Sequence, residues 1–162
     1  MWFNKEVDQA VNFMIEPDEF NMGQGQRNFS LNGLNGKFIN AFIGRESSKN
    51  GGTPTLSVDD IIRDNAIEFV HLLHSDIQGY EYEMLQGATS AIEQDKIGYI
   101  FISTHSNEIH RKCVQFLTDH RFEIIAAADI DESFSEDGLI VACAPHYKRM
   151  ASINISKRTK RN

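Results

Sequence analysis

Short apolar runs alternate along this chain with longer stretches in which apolar residues recur every three or four positions. That is the pattern of strands feeding helices in a largely parallel sheet. Val11-Asn12-Phe13-Met14-Ile15 predicts a strand stopped by Glu16-Pro17-Asp18, and Asp18 is placed to cap a helix that runs to Asn32-Gly33. Gly23 and Gly25 weigh against that helix, since each costs about 1 kcal/mol relative to alanine in a helix interior. Residues 38–43 predict a second strand and 45–54 a polar, glycine-bearing loop. Ser57, with Asp60 three positions on, opens a short helix in a variant of the capping box. Further on, residues 70–77 predict a strand and 79–93 a helix, then 99–104 a strand and 108–120 a helix. Residues 122–128 and 139–144 predict two strands around the polar turn 129–137, forming an antiparallel hairpin that closes the sheet edge. The expected architecture is α/β: a doubly wound, Rossmann-like, mostly parallel sheet with a C-terminal antiparallel hairpin.

A chain of 162 residues fits one domain, expected over residues 1–146, with 147–162 as a tail. No apolar run approaches the roughly 20 residues that span a bilayer. Met1-Trp2-Phe3-Asn4-Lys5-Glu6 has no basic segment leading into an apolar one, so no signal peptide and a cytoplasmic address are expected. Cys113 and Cys143 are far apart, outside any C-x-x-C pair and set among apolar residues, which predicts buried, reduced thiols. The net charge of −7 is uneven: Lys148, Arg149, Lys157, Arg158, Lys160 and Arg161 follow His146 with no acid among them, so the body is six charges more negative than the whole. An acidic body argues against a nucleic-acid surface there. The tail is expected to be a solvated, partly disordered end.

In open α/β sheets ligands bind beyond the carboxyl ends of the strands. Glu16 stands at such an end, where a carboxylate can accept hydrogen bonds from both hydroxyls of a ribose; it can equally be a loop acid favoured by the dipole of the following helix. Asp76 ends the next buried strand, and Gly79 permits a tight turn there. Glu81 then falls in the first turn of a helix, on the same stripe as Met84, Leu85, Ala88 and Ile92. An inward carboxylate needs a partner, a metal or a ligand, or else compensates the helix dipole. His105 follows another strand and faces the crevice of Asp76 if the strands neighbour in sequence order. An imidazole there can take a proton from a hydroxyl while an aspartate orients it. His110 is a weaker second candidate, and spacing does not require a metal. Phe134, on a polar loop, reads either as a lid aromatic or as packing on the sheet edge.

These motifs, in order and spacing, resemble the FkbM-type family of S-adenosylmethionine-dependent methyltransferases. They are Ile15-Glu16-Pro17-Asp18, Arg27-Asn28-Phe29-Ser30-Leu31-Asn32-Gly33, Val58-Asp59-Asp60-Ile61 and Leu73-His74-Ser75-Asp76-Ile77-Gln78-Gly79-Tyr80-Glu81 with Leu85-Gln86-Gly87-Ala88. Phe101-Ile102-Ser103-Thr104-His105 and Glu132-Ser133-Phe134-Ser135-Glu136-Asp137-Gly138-Leu139-Ile140 complete the set. The resemblance implies a class I methyltransferase fold, S-adenosylmethionine as cofactor, and a sugar or natural-product hydroxyl as acceptor. It implies that Glu16 and Pro17 lie at the ribose and Asn40, Ala41 and Phe42 near the adenine. Asp76, Glu81 and His105 would line the reaction crevice, Asp76 touching the cofactor as well. The family carries a first strand and a small-residue loop ahead of the Glu-Pro-Asp strand. The present chain starts, at Trp2-Phe3, near what resembles the end of the helix after that loop. The resemblance therefore also implies a sheet short of a central strand, weak cofactor binding, little turnover by the chain alone and self-association through exposed edges.

Two other classes stay open at this stage. One is a Rossmann-like binding module that has lost the cofactor, and the other a metal-dependent hydrolase using Asp76, Glu81 and His105.

Overall fold

The computed structural model describes residues 6–7, 10–49, 51–148 and 153–159. Trp2-Phe3, Arg149, Lys160 and Arg161, singled out above, lie outside these. Along the described residues these elements follow in order: β1 (Phe13–Ile15), α1 (Glu19–Leu31), β2 (Lys37–Ile39), β3 (Phe42–Ile43), β4 (Thr55–Leu56), α2 (Val58–Asp64), β5 (Val70–Ser75), α3 (Glu81–Gln86), α4 (Thr89–Glu93), β6 (Ile97–Thr104), α5 (Asn107–Asp119), β7 (Glu123–Ala128) and β8 (Gly138–Cys143).

The strands hydrogen-bond in three groups: β1 with β2, β3 with β4, and β5-β6-β8-β7. The first two pairs and β5·β6 are parallel, whereas β8 runs antiparallel to both β6 and β7. The C-terminal hairpin is thus as expected, with a bulge between Ile124 and Ala126. The continuous sheet is not. Among the described residues β5 is paired on one side alone, and along it His71, Leu72 and His74 are exposed.

Two predicted elements are divided, each for a local reason. Residues 38–43 form two strands because the Asn40 side-chain amide turns back to donate to the carbonyls of Glu16 and Pro17, at 3.0 Å each. β2 thereby serves β1 and β3 serves β4. The helix predicted over 79–93 breaks into α3 and α4 at Gly87, which approaches so close that an added Cβ would lie 2.3 Å from the Gly44 carbonyl oxygen. Asp59 then caps α4, its carboxylate accepting from the backbone N–H groups of Ser90 (2.9 Å) and Ala91 (2.8 Å). α1 forms despite its glycines, with Asp18 as N-cap accepting from the Asn21 N–H at 2.8 Å.

The core lies where β6 and β8 meet the helices. Ile97, Ile100, Ile102 and Ile140 are fully buried, as are Leu85 of α3 and Leu117 of α5. Each such side chain contributes about 1.5–3 kcal/mol on burial. α5 inserts His110, Cys113 and Leu117, one helical stripe, against them. Both cysteines are free and buried. Among the described residues no helix is long and apolar enough to cross a membrane. Residues 153–159 of the basic tail do not float: Lys157 pairs with Glu132 at 2.8 Å, and the Arg158 N–H donates to the Glu132 carbonyl at 2.7 Å.

Candidate functional site

Parallel pairing of β5 with β6 puts Ser75 opposite Ile102 and brings the carboxyl ends of both strands to one edge. Asp76 leaves the end of β5 and His105 the end of β6. Between them the chain turns through Gln78 and Gly79, both at positive φ (55° and 105°), the second a value suited to glycine. This turn delivers Glu81 to the first position of α3, where it is completely buried. Its Oε1 accepts from the Gly79 N–H at 2.9 Å and meets His105 Nδ1 at 2.8 Å. Glu81 is therefore neither solely a helix-dipole acid nor an isolated charge. It locks the turn and the imidazole together, while its Oε2 is buried without a partner among the described residues.

On the other side of the ring, His105 Nε2 lies 3.3 Å from Asp76 Oδ1 and 3.6 Å from Asp137 Oδ1. The imidazole is mostly covered, at 21 % exposure, whereas the two aspartates are 54 % and 39 % exposed. An ionised Glu81 can only accept, so it favours the proton on Nδ1 of a neutral ring and leaves Nε2 facing Asp76 and Asp137. Ser106 caps α5 directly after His105, its Oγ accepting from the Ile109 N–H at 3.1 Å. The strand end, the candidate histidine and the helix cap thus occupy three consecutive residues.

Asp137 escaped the sequence reading as a site residue. It reaches His105 because β8 pairs antiparallel with β6 in a register that sets Gly138 opposite Thr104. Only that register, invisible in a single chain, makes the next residues out neighbours. His110 is not part of the crevice cluster. It is buried on α5, with Nδ1 3.0 Å from the buried Thr104 Oγ1, and burial pushes its pKa below the ordinary 6.5. Phe134 is 68 % exposed and so does not pack into the sheet edge. Among the described residues no group of three or more histidines, cysteines and acids is arranged to hold a metal ion.

The second group of expected residues also comes together. Glu16 follows β1, its Oε1 accepting from the Asp18 N–H at 2.8 Å, and its N–H reaches the Ile39 carbonyl at 3.2 Å. The Asn40 amide ties Glu16 and Pro17 to the segment between β2 and β3. Ala41 is buried there, while the Phe42 ring is half-exposed. No hydrogen bond or ion pair among the described residues joins this group to the His105 cluster.

A model of the methyltransferase FkbM domain matches residues 4–124. No curated protein matches the chain. Among solved structures, M. capricolum TrmK in complex with the natural cofactor product S-adenosyl-homocysteine superposes with a TM-score of 0.55 at 13% identity, over 90% of this chain and 57% of that one. Pyrococcus abyssi tRNA (uracil-54, C5)-methyltransferase, in complex with S-adenosyl-L-homocysteine, gives a TM-score of 0.45 at 17% identity, over 80% of this chain and 27% of that one. The chain thus spans little more than half the length of the first of these structures, and at 13% identity that likeness is one of fold.

Proposed function

The chain belongs to the FkbM methyltransferase family, and from that premise we propose that it serves S-adenosylmethionine-dependent methyl transfer to a hydroxyl of a sugar or other small molecule. The observation that carries this reading is the Glu81–His105 pair, with Nδ1 held from behind and Nε2 open between Asp76 and Asp137. An acceptor hydroxyl donating to Nε2 gives up its proton there as its oxygen takes the methyl group. The charge that then develops on the imidazole is met by Glu81. A positioned general base of this kind is worth about 10²- to 10⁴-fold, and alignment of the reacting atoms more.

The residues beside β1 and β2 fit the adenosine part of the cofactor. Glu16 presents a carboxylate at a strand end, held in place by the Asn40 clamp, and Phe42 presents an aromatic face. When bound, S-adenosylmethionine supplies an electrophilic methyl group on a sulfonium. Asp76 and Asp137 are placed to favour positive charge near the acceptor. The tRNA substrate named for a fold neighbour is not carried over, because a crevice lined by carboxylates disfavours a phosphate backbone.

Isothermal titration of S-adenosylmethionine and S-adenosylhomocysteine into the purified chain, with Glu16→Ala alongside, tests the reading. Binding that the substitution abolishes supports it. A folded chain that binds neither compound overturns it for this chain and leaves a non-catalytic module. Turnover that needs added metal and no S-adenosylmethionine would instead mark a hydrolase.

A further inference from the structure

Methyl transfer as just described needs His105 and Glu81 and gives Asp137 only a general electrostatic part, shared with Asp76. Yet its carboxylate is built into place. The register of β6 and β8 sets it beside His105. Its backbone is fastened through Ser135, whose Oγ donates to the Asp137 carbonyl at 2.8 Å and accepts from the Asp137 N–H at 3.2 Å. The Oδ1 atoms of Asp76 and Asp137 stand 3.3 and 3.6 Å from Nε2, beyond the usual reach of a firm N–H···O bond. Both carboxylates therefore keep acceptor capacity for something that enters between them. Among the described residues no lysine or arginine forms an ion pair with Asp76, Glu81 or Asp137. Lys157 of the tail, which reaches the 129–137 turn, is engaged with Glu132.

We propose that Asp137 is an acceptor-binding residue which, with Asp76, forms a two-carboxylate fork around Nε2, selecting an acceptor that carries a hydroxyl or an ammonium group next to the reacting hydroxyl and rejecting one that carries a phosphate there. The proposal rests on the reading of Nε2 as the atom that meets the acceptor. Neighbouring donors of a polyol or amino sugar satisfy the fork by hydrogen bonds, the ammonium with charge assistance. A unit negative charge about 4 Å from two carboxylates is disfavoured more than ~tenfold, even at the dielectric constant of water.

The test is a titration of glucosamine, glucose and glucose 6-phosphate, at fixed ionic strength, into the full chain. The readout is the His105 ring resonance in proton–carbon correlation spectra. Glucosamine should perturb that resonance with a half-saturation at least ~tenfold below that of glucose 6-phosphate, with glucose between them. Asp137→Asn should shrink the difference, leaving the share of Asp76, and Asp137→Glu retain it, whereas a merely structural role would shift all three sugars alike. Should Asp137→Asn not fold, the parent's own difference must shrink as salt is raised towards about 1 M, where screening is nearly complete at these distances. Equal or tighter binding of glucose 6-phosphate, no response to glucosamine, or a difference untouched by Asp137→Asn or by salt overturns the proposal. No cofactor enters this titration, so its outcome is independent of the cofactor titration that tests the methyltransferase reading.

Discussion

Replacing Gly87 by alanine isolates one close contact on which the two halves of the chain depend. Gly87 has φ −76° and ψ −3°, a right-handed conformation that alanine readily adopts. From the backbone alone the substitution should gain about 0.4–1 kcal/mol, by restricting the unfolded chain. The surroundings decide otherwise. The new Cβ would lie 2.3 Å from the Gly44 oxygen and 3.2 and 3.3 Å from the Arg45 oxygen and Cα, all of them backbone atoms. The two segments would have to part by more than ~1 Å to recover ordinary contact near 3.5 Å. Overpacking of this kind costs about 1–3 kcal/mol. The shift also strains the bond from the Asp59 N–H to the Gly87 carbonyl, 2.8 Å long, worth about 0.5–1.5 kcal/mol. The expected net loss is about 2 kcal/mol, or roughly a 1 M lower urea midpoint at ordinary slopes. Gly23→Ala is the control: a Cβ there meets nothing within 4 Å, so the helix preference should prevail and raise stability by ~0.5–1 kcal/mol. Urea unfolding followed by circular dichroism reads both. A Gly87→Ala midpoint at or above the parent's, or an equal drop in Gly23→Ala, would refute the reasoning.

Glu81→Gln should disturb the ring it holds: in long-range proton–nitrogen spectra of the neutral form, the parent's His105 should carry its proton on Nδ1 and the variant's should lose that preference. An unchanged tautomer would mean that Glu81 does not orient the ring. His110 gives a pH dependence. Burial lowers its folded-state pKa below 6.5, so on acidification the unfolded chain takes up the proton first. Its contribution is complete above about 6.5 and is lost as pH falls through the lowered folded value. His110→Asn, which retains a partner for Thr104, should therefore show a shallower fall in urea midpoint between about pH 7 and 5 than the parent, and equal slopes would refute this. Burial also pushes the Cys113 thiol up to about 12, so Cys113 should not react with an aromatic disulfide reagent near pH 8 until the chain is unfolded; rapid native reaction at Cys113 would contradict its placement.

Elements were legible in the sequence wherever local chemistry sufficed. The starts of α1 and α2 follow from capping by Asp18 and Ser57. The same local reasoning missed contacts made at a distance. Nothing near residue 40 announces that its amide will grip carbonyls 23 and 24 positions earlier. Nothing near Gly87 announces the Gly44 loop, so one predicted strand and one predicted helix were each drawn too long. In the site, Asp76, Glu81 and His105 could be found because each sits at the end of a strand or the start of a helix. Asp137 could not, because its place depends on the pairing of β6 with β8. The Val58-Asp59-Asp60 motif turns out to be structural: Asp59 caps α4, and Asp60 accepts from Ser47 and pairs with Arg63.

The open side of β5 has a consequence for how the protein must be handled. A six-residue strand paired, among the described residues, on one side alone is a template onto which an extended chain can zip, including another molecule of the same protein. The usual safeguards on such an edge are lysine, proline or a bulge, and Val70-His71-Leu72-Leu73-His74-Ser75 has no lysine or proline. With no lysine, arginine, aspartate or glutamate along it, the strand carries no fixed charge to hold a second copy away.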